Sequence, residues 1–131
     1  MPKIKYDIIT IGGATRDFFI ATKKGVILDK KDLIMEKFLS FKLGTKIYVQ
    51  NLQSSLGGGA CNTAVGFSKL GLKTSIKICL NKGEEGEWIR RKLKEKKVDV
   101  NQVMNINKEI SGFSFIIIDK TIKSKEHIIF S

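Results

Sequence analysis

A run of three glycines before a predicted helix is the feature of this sequence best suited to ligand chemistry. The run is residues 57–59, and Asn62 follows within the first turn of the helix. Glycines have no Cβ, so backbone N–H groups there can approach a ligand closely at the positive end of the helix. The amide of Asn62 both donates and accepts, which suits a ligand with hydroxyl groups. A tight structural turn explains the same glycines equally well.

Two nucleotide-binding patterns are excluded at these glycines. No Gly-Lys-Ser/Thr follows them, so the lysine and the magnesium-binding hydroxyl of a phosphate-binding loop are missing. Gly12 and Gly13, after the first predicted strand, lead into Ala-Thr-Arg-Asp and do not form G-x-G-x-x-G. In the later run, Asn62 stands where the third glycine of a dinucleotide fingerprint belongs.

Asp17 is a second candidate for ligand binding. It comes shortly after the first predicted strand, and ligands of open α/β sheets collect beyond the carboxyl ends of the strands. A carboxylate there can accept hydrogen bonds from two hydroxyl groups. The structural alternative is that Asp17 caps a backbone group, or pairs with Arg16 or with a surface lysine.

The elements that must position these residues are predicted from apolar patterning. Residues 6–11 form a β-branched run typical of a buried parallel strand, and residues 60–70 form a helix that stops at Gly71. Residues 74–80 are predicted to form the next strand and residues 84–98 a second helix. The positions predicted to face the core are Ala64, Phe67 and Leu70 in the first helix and Ile89 and Leu93 in the second. This order is typical of an α/β fold.

The other segments predict small strands. Residues 18–56 contain short apolar pieces without a helical period, which we interpret as strands and loops outside the main sheet. Residues 111–119 and 127–130 are predicted as two strands joined by the polar connection 120–126. An outward ion pair is expected between Glu87 and Arg91. Because the chain stops inside an apolar strand pattern at Ser131, we expect it to be the front part of a longer protein.

Composition and charge exclude several classes. The 131 residues suit one domain, and 42% hydrophobic residues are typical of a globular core. The net charge of +11 points formally to nucleic acid, but the cations are 21 Lys and 3 Arg spread along the chain, which favours a solvated lysine-rich surface. Cys61 and Cys79 form no metal or disulfide pattern, which fits a reducing, cytoplasmic setting. No segment is long and apolar enough for export or membrane insertion.

Taken in order, these motifs resemble the ribokinase-like (PfkB) carbohydrate kinases. The segments that carry the resemblance are residues 7–12 with Asp17, residues 57–64 with 70–74, residues 86–89 with 97–100, and residues 111–115. They span essentially the whole chain. Asn81 and Gly83 depart from the pattern, since the family commonly has Gly and Asp at those places.

The resemblance implies a fold and a division of the chain. The fold would be α/β, the N-terminal part of a ribokinase-like three-layer α/β/α core with a small β-sheet lid. The core would take about residues 1–17 and 57–105, and the lid about residues 18–56 and 111–131. Family members are about twice this length or more, so the C-terminal catalytic and ATP-binding part is expected after Ser131.

The resemblance also implies an activity. The complete enzyme would transfer the γ-phosphoryl group of ATP, with Mg²⁺, to a hydroxyl of a sugar or nucleoside. The substrate-binding residues carried over by the resemblance are Thr15, Asp17, Gly58, Gly59 and Asn62. No catalytic, ATP-binding or metal-binding residue can be named, and the 131-residue chain alone is expected to be inactive. Pairing of lid strands would give a homodimer.

Two other functions remain open on the sequence. One is a non-catalytic module that binds a sugar or nucleoside, or regulates another protein. The other is a nucleic-acid-binding protein that uses its charge, although the lysine background argues against nucleic acid as a partner. His127, Trp88 and the phenylalanines are expected to serve packing or an exposed strand edge, with Phe113 or Phe115 as further candidates to line a sugar pocket.

Overall fold

The computed structural model describes residues 5–23, 25–29, 37–107, 111–120 and 127–131. Within these ranges the chain forms ten strands and two helices. The strands are β1 (Ile8–Ile11), β2 (Thr15–Thr22), β3 (Val26–Asp29), β4 (Lys37–Ser40), β5 (Asn51–Gly57), β6 (Thr74–Lys77), β7 (Cys79–Asn81), β8 (Met104–Ile106), β9 (Gly112–Asp119) and β10 (Ile128–Phe130). The helices are α1 (Gly59–Lys69) and α2 (Glu84–Glu95).

The chain divides into two compact units. The first unit comprises Met1–Asp17, Ser54–Ser114 and Ser131, and the second comprises Phe18–Gln53 and Phe115–Phe130. In the first unit β1 pairs in parallel with β6, and β7 pairs in parallel with β8. Because α1 precedes β6 and α2 lies between β7 and β8, this unit has the alternation of strands and helices predicted for an α/β fold.

The core of the first unit lies where both helices pack on these parallel strands. Its buried residues are Ala60, Cys61, Ala64, Ile76, Ile78, Leu80, Trp88, Ile89, Leu93 and Val98. The inward positions predicted at Ala64, Ile89 and Leu93 are confirmed. The prediction for Leu70 is wrong, because this residue is the C-cap of α1 and its side chain is 78% exposed.

Both helices end in the hydrogen-bond pattern of a Schellman motif. After α1, Gly71 has φ +88° and the Leu72 N–H donates to the Phe67 carbonyl, which confirms the predicted glycine stop. The predicted end of α2 at residue 98 is wrong. Lys97 has φ +60°, and the Val98 N–H donates to the carbonyl of Leu93 at 3.1 Å.

Two further sequence predictions need correction. Residues 74–80 do not form one strand, because β6 pairs with β1 whereas β7 pairs with β8, and Ile78 lies between the two strands. The predicted pair of Glu87 with Arg91 is also wrong. Glu87 Oε1 instead lies 3.4 Å from Nε of Arg90, which is three residues along α2.

Strands alone make up the regular structure of the second unit's described residues. A four-stranded sheet has the order β10-β9-β2-β5, and β3 and β4 form an antiparallel pair with Val26 opposite Ser40. The predicted strands near residues 111–119 and 127–130 are confirmed as the antiparallel pair β9 and β10. Their connection, residues 121–126, lies outside the described residues. Asp119 accepts a hydrogen bond from the Gly25 N–H at 2.7 Å.

Removal of the Leu93 side chain tests the buried face of α2. Leu93 is fully buried, so Leu93→Ala should lower the free energy of unfolding by about 2–5 kcal/mol through lost contacts and a residual cavity. Chemical denaturation of the full-length protein measures this change. Leu70→Ala is the matched control, and its exposed side chain predicts a change within about 0.5 kcal/mol. Equal effects of the two substitutions would contradict the assigned faces.

Candidate functional site

The carboxylate of Asp17 lies in β2, where two hydroxyl groups hold it. Thr15 Oγ1 donates to Asp17 Oδ1 at 2.9 Å, and Ser114 Oγ, from β9, donates to the same oxygen at 2.7 Å. Thr15 and Asp17 share one face of β2 because side chains alternate along a strand. The sequence placed Asp17 after a strand, whereas the structure places it within the next one.

Of the three glycines in the run, Gly57 lies closest to the Asp17 carboxylate. A Cβ added to Gly57 would clash with Asp17 Oδ2 and would come within 2.5 Å of Thr15 Oγ1. Any side chain at position 57 would therefore displace the carboxylate. Gly57 thus leaves room for Asp17 and its Thr15 partner at the end of β5.

Gly58 is constrained by the backbone of the β1–β2 connection, not by the carboxylate. It is the N-cap of α1 with φ +87°, and an added Cβ would clash with the Gly13 carbonyl and with Cα of Ala14. The Gly13 carbonyl also accepts a hydrogen bond from the Ala60 N–H at 3.2 Å. A tight structural requirement therefore accounts for Gly58 whether or not a ligand binds.

Gly59 has open space where a side chain would stand, since nothing lies within 4 Å of an added Cβ. It begins α1, which has no side-chain cap and no acidic residue in its first turn. The positive end of the helix dipole is therefore not neutralised by the helix itself. This combination leaves the N-terminus of α1 suitable for a polar or anionic ligand group.

Asn62 is exposed on α1 and lines a cavity of about 510 Å³. The lining residues come from β5, α1 and α2 and the residue after α2, and they are Ser54, Ser55, Leu56, Asn62, Val65, Gly66, Lys69, Trp88, Lys92, Glu95 and Lys96. Asp17 does not line this cavity. The structure thus brings Thr15 and Asp17 together and places Gly58 against the β1–β2 connection, while Asn62 lines the cavity bounded by α1 and α2.

The sequence does not indicate that two further residues, Gly57 and Ser114, contact Asp17. The sequence pattern assigns Gly57 only to the glycine loop and Ser114 only to a strand. The sequence signal at Ser114 is a hydroxyl residue between two phenylalanines of an apolar strand, and in the structure this residue is only 6% exposed. A buried hydroxyl needs a hydrogen-bond partner, but the pattern does not say which one.

Cys61 lies near Asp17 on the buried face of α1. Burial, together with the negative charge of Asp17, raises the pKa of the Cys61 thiol to about 12. Cys61 and Cys79 are both free thiols in the structure. Among the described residues, no group of three His, Cys, Asp or Glu side chains could hold a metal ion. None of the helices in those ranges is long and apolar enough to cross a membrane.

Comparison with known families decides the classification. Residues 27–130 match the family described as pfkB family carbohydrate kinase. The chain belongs to the pfkB family. This finding confirms the resemblance to the PfkB carbohydrate kinases; the matched residues include the glycine run and begin after Asp17. No curated protein matched the chain.

Solved structures show that the pfkB chain has the ribokinase-like fold. A nucleoside kinase of Methanocaldococcus jannaschii is 22% identical with a TM-score of 0.67, and the match covers 93% of this chain and 35% of that one. Arabidopsis thaliana ribokinase complexed with ribose and ATP is 20% identical with a TM-score of 0.69, covering 93% and 34%. A sugar kinase from Pyrococcus horikoshii in complex with ATP is 22% identical with a TM-score of 0.61, covering 94% and 33%. The pfkB chain therefore spans about a third of these proteins.

Substitution of the glycines separates their roles. Gly58→Ala should lower the free energy of unfolding by about 1–3 kcal/mol, because alanine is strained at φ +87° and its Cβ meets backbone atoms. An added Cβ at Gly59 meets no atom within 4 Å. Gly59→Ala should therefore raise the free energy of unfolding by no more than about 1 kcal/mol. Thermal unfolding measures both. A Gly58→Ala protein as stable as the wild type would contradict the backbone contact.

The two cysteines should differ in reactivity. The thiolate is the form that attacks alkylating reagents, so Cys61, buried and with its pKa raised to about 12, should resist iodoacetamide at pH 8. Cys79 is exposed and should be modified. Peptide mass mapping after brief labelling measures both sites, and labelling in denaturant is the control in which both react. Rapid native modification of Cys61 would contradict its burial.

Proposed function

We propose that this chain supplies the acceptor-binding part of a kinase that transfers the γ-phosphoryl group of ATP to a hydroxyl of a sugar or nucleoside. Membership of the pfkB family supports the reaction class. Neighbours described as a nucleoside kinase and as a ribokinase with ribose and ATP support the two acceptor classes. The single observation that carries the assignment to this site is the Asp17 carboxylate, fixed by Thr15 and Ser114 against Gly57.

Asp17 would bind the acceptor through one carboxylate oxygen. Oδ1 already accepts two hydrogen bonds from protein hydroxyls, which satisfies the usual capacity of a carboxylate oxygen. Oδ2 remains to accept a hydrogen bond from an acceptor hydroxyl. The fixed carboxylate would orient that hydroxyl, and phosphoryl transfer depends largely on such positioning.

The other proposed contacts come from the start of α1. The open space at Gly59 leaves room for an acceptor beside the helix N-terminus, where backbone N–H groups favour an oxygen. Asn62, exposed in the first turn of α1, would add an amide that both donates and accepts. Gly58 would contribute by holding the loop in place, and Thr15 by fixing the carboxylate.

ATP would supply the transferred phosphoryl group, and Mg²⁺ would neutralise its charge. The described residues do not by themselves fit either group. They contain no cluster suited to a metal ion, and the glycine run lacks the lysine of a phosphate-binding loop. We therefore assign the ATP and Mg²⁺ sites to no residue named here.

We assign the core role to the first unit and the lid role to the second. The first unit holds the parallel strands and helices that carry Asp17 and the glycine run, whereas the regular structure described in the second is β-sheet. A homodimer through lid strands is part of this proposal. It is supported by exposed apolar side chains of the second unit, which include Val26, Leu28, Tyr48, Ile129 and Phe130.

Asp17→Asn tests the proposed function in the full-length protein. It preserves the size of the side chain and removes its charge, so affinity for the acceptor should fall about 10- to 100-fold, as expected for loss of a charged hydrogen bond. Binding is measured calorimetrically against a panel of pentoses, hexoses and nucleosides, and phosphoryl transfer is measured with ATP. Thermal unfolding shows that the variant remains folded.

Asp7→Asn is the matched control. Asp7 accepts a hydrogen bond from the Lys73 N–H at 2.7 Å at the other end of β1, so its loss should affect stability and leave acceptor affinity unchanged. Wild-type affinity in Asp17→Asn, or no binding to any panel member by the wild type, would overturn the proposal. Binding without phosphoryl transfer would favour the non-catalytic binding module instead.

A further inference from the structure

Arg16 lies between the two residues that form the Asp17 site, and its side chain points the other way. Side chains alternate along β2, so Thr15 and Asp17 share one face and Arg16 takes the opposite face. There the Arg16 guanidinium lies 4.5 Å from the ring centroid of Trp88. Arg16 Nη1 lies 3.2 Å from Oε2 and 3.4 Å from Oε1 of Glu85. Glu85 and Trp88 both belong to helix α2.

These contacts are largely shielded from solvent. The side chains of Arg16 and Glu85 are 17% and 26% exposed, and Trp88 is buried in the core. Screening by salt is weaker for such a pair than for an exposed one. A planar guanidinium both stacks on an aromatic face and hydrogen-bonds a carboxylate, which the ammonium group of lysine does not reproduce. Arginine is also scarce in the chain, with 3 residues against 21 lysines.

We propose that Arg16 is a positioning residue for the acceptor-binding carboxylate, and that α2 sets the direction of Asp17 through it. This inference rests on the proposed function of Asp17. The Glu85 carboxylate and the Trp88 ring hold Arg16 on one face of β2, and Ser114 holds Asp17 on the other. Residues 15–17 are thereby fixed from both sides. Loss of the α2 contact would let the strand backbone turn and would misdirect Oδ2.

The effect should appear in acceptor binding more than in the rest of the reaction. A small displacement of a positioning group is costly when the reacting atoms must be held closely. Arg16 itself touches no acceptor in this proposal, so its loss should act only while Asp17 is present to be positioned. That dependence separates positioning from a general contribution to stability.

The experiment uses four variants of the full-length protein: Arg16→Met, Arg16→Lys, Asp17→Asn, and the double variant Arg16→Met with Asp17→Asn. The acceptor is the tightest-binding member of the sugar and nucleoside panel. Arg16→Met should raise the acceptor KM about 10-fold, with the ATP KM and kcat changed by less than about 3-fold. The acceptor KM of Arg16→Lys should lie between those of Arg16→Met and the wild type, because a cation remains near Trp88 but the planar guanidinium that also reaches Glu85 is lost.

Two further measurements identify the cause. Trp88 is the single tryptophan of the chain, and its fluorescence, read as the difference between wild type and Arg16→Met, should change when the stacked cation is removed. Arg90→Met is the matched control. Arg90 is also an arginine paired with a glutamate of α2, with a side chain 15% exposed, but it contacts Glu87 and Asn105 and lies far along the sequence from Asp17. It should leave the acceptor KM unchanged.

The double variant distinguishes a positioning role of Arg16 from an effect that is independent of Asp17. If Arg16 acts through Asp17, adding Arg16→Met to Asp17→Asn should produce little further loss of acceptor affinity. A full additional 10-fold loss, or a wild-type acceptor KM in Arg16→Met despite altered Trp88 fluorescence, overturns the positioning role and leaves the proposed function intact. A parallel loss of ATP affinity also overturns it. Wild-type acceptor affinity in Asp17→Asn overturns the proposed function together with this inference.

Discussion

The close approach of Gly58 to the backbone of residues 13 and 14 is the constraint on which the candidate site depends. With φ +87° and no room for a Cβ, Gly58 lets the start of α1 lie directly on the β1–β2 connection. The hydrogen bond from the Ala60 N–H to the Gly13 carbonyl joins the same two segments. Because β2 begins immediately afterwards, Thr15 and Asp17 emerge beside the glycine run. Gly57 must lack a side chain for a different reason, because a Cβ at this position would clash with the Asp17 carboxylate.

Much of the first unit could be predicted because its signals are local. The glycine stop of α1, the buried faces at Ala64, Ile89 and Leu93, and the parallel strands between helices follow from residue type and period. The sequence predictions are wrong where tertiary contacts determine where a helix or strand ends. Val98 leaves the helical path at Lys97 and becomes buried in the core. Ile78 separates two strands because each pairs with a different neighbour, and pairing is not encoded in the run of apolar residues.

The sequence resemblance proposes residues for the candidate site, but it does not predict the contacts between them. The resemblance points to Asp17 and the glycine run; the residues that match the pfkB family, 27–130, include the glycine run and begin after Asp17. The donors to Asp17 were not predictable, because Ser114 lies 97 residues away and reaches it only through the pairing of strands. Arg16 was weighed as a partner of Asp17 because it is adjacent in sequence. In a strand, however, adjacent side chains face opposite ways, so adjacency there argues against pairing.

This use of arginine also changes how the charge of the chain should be interpreted. A net charge of +11 invites comparison with nucleic-acid-binding proteins, which favour arginine for its planar fork. Here Arg16 and Arg90 are directed at glutamates of α2, with side chains only 17% and 15% exposed. Two of the three arginines therefore contact glutamates within the first unit. The rest of the cationic excess is mainly lysine, spread along the sequence rather than concentrated in one basic segment.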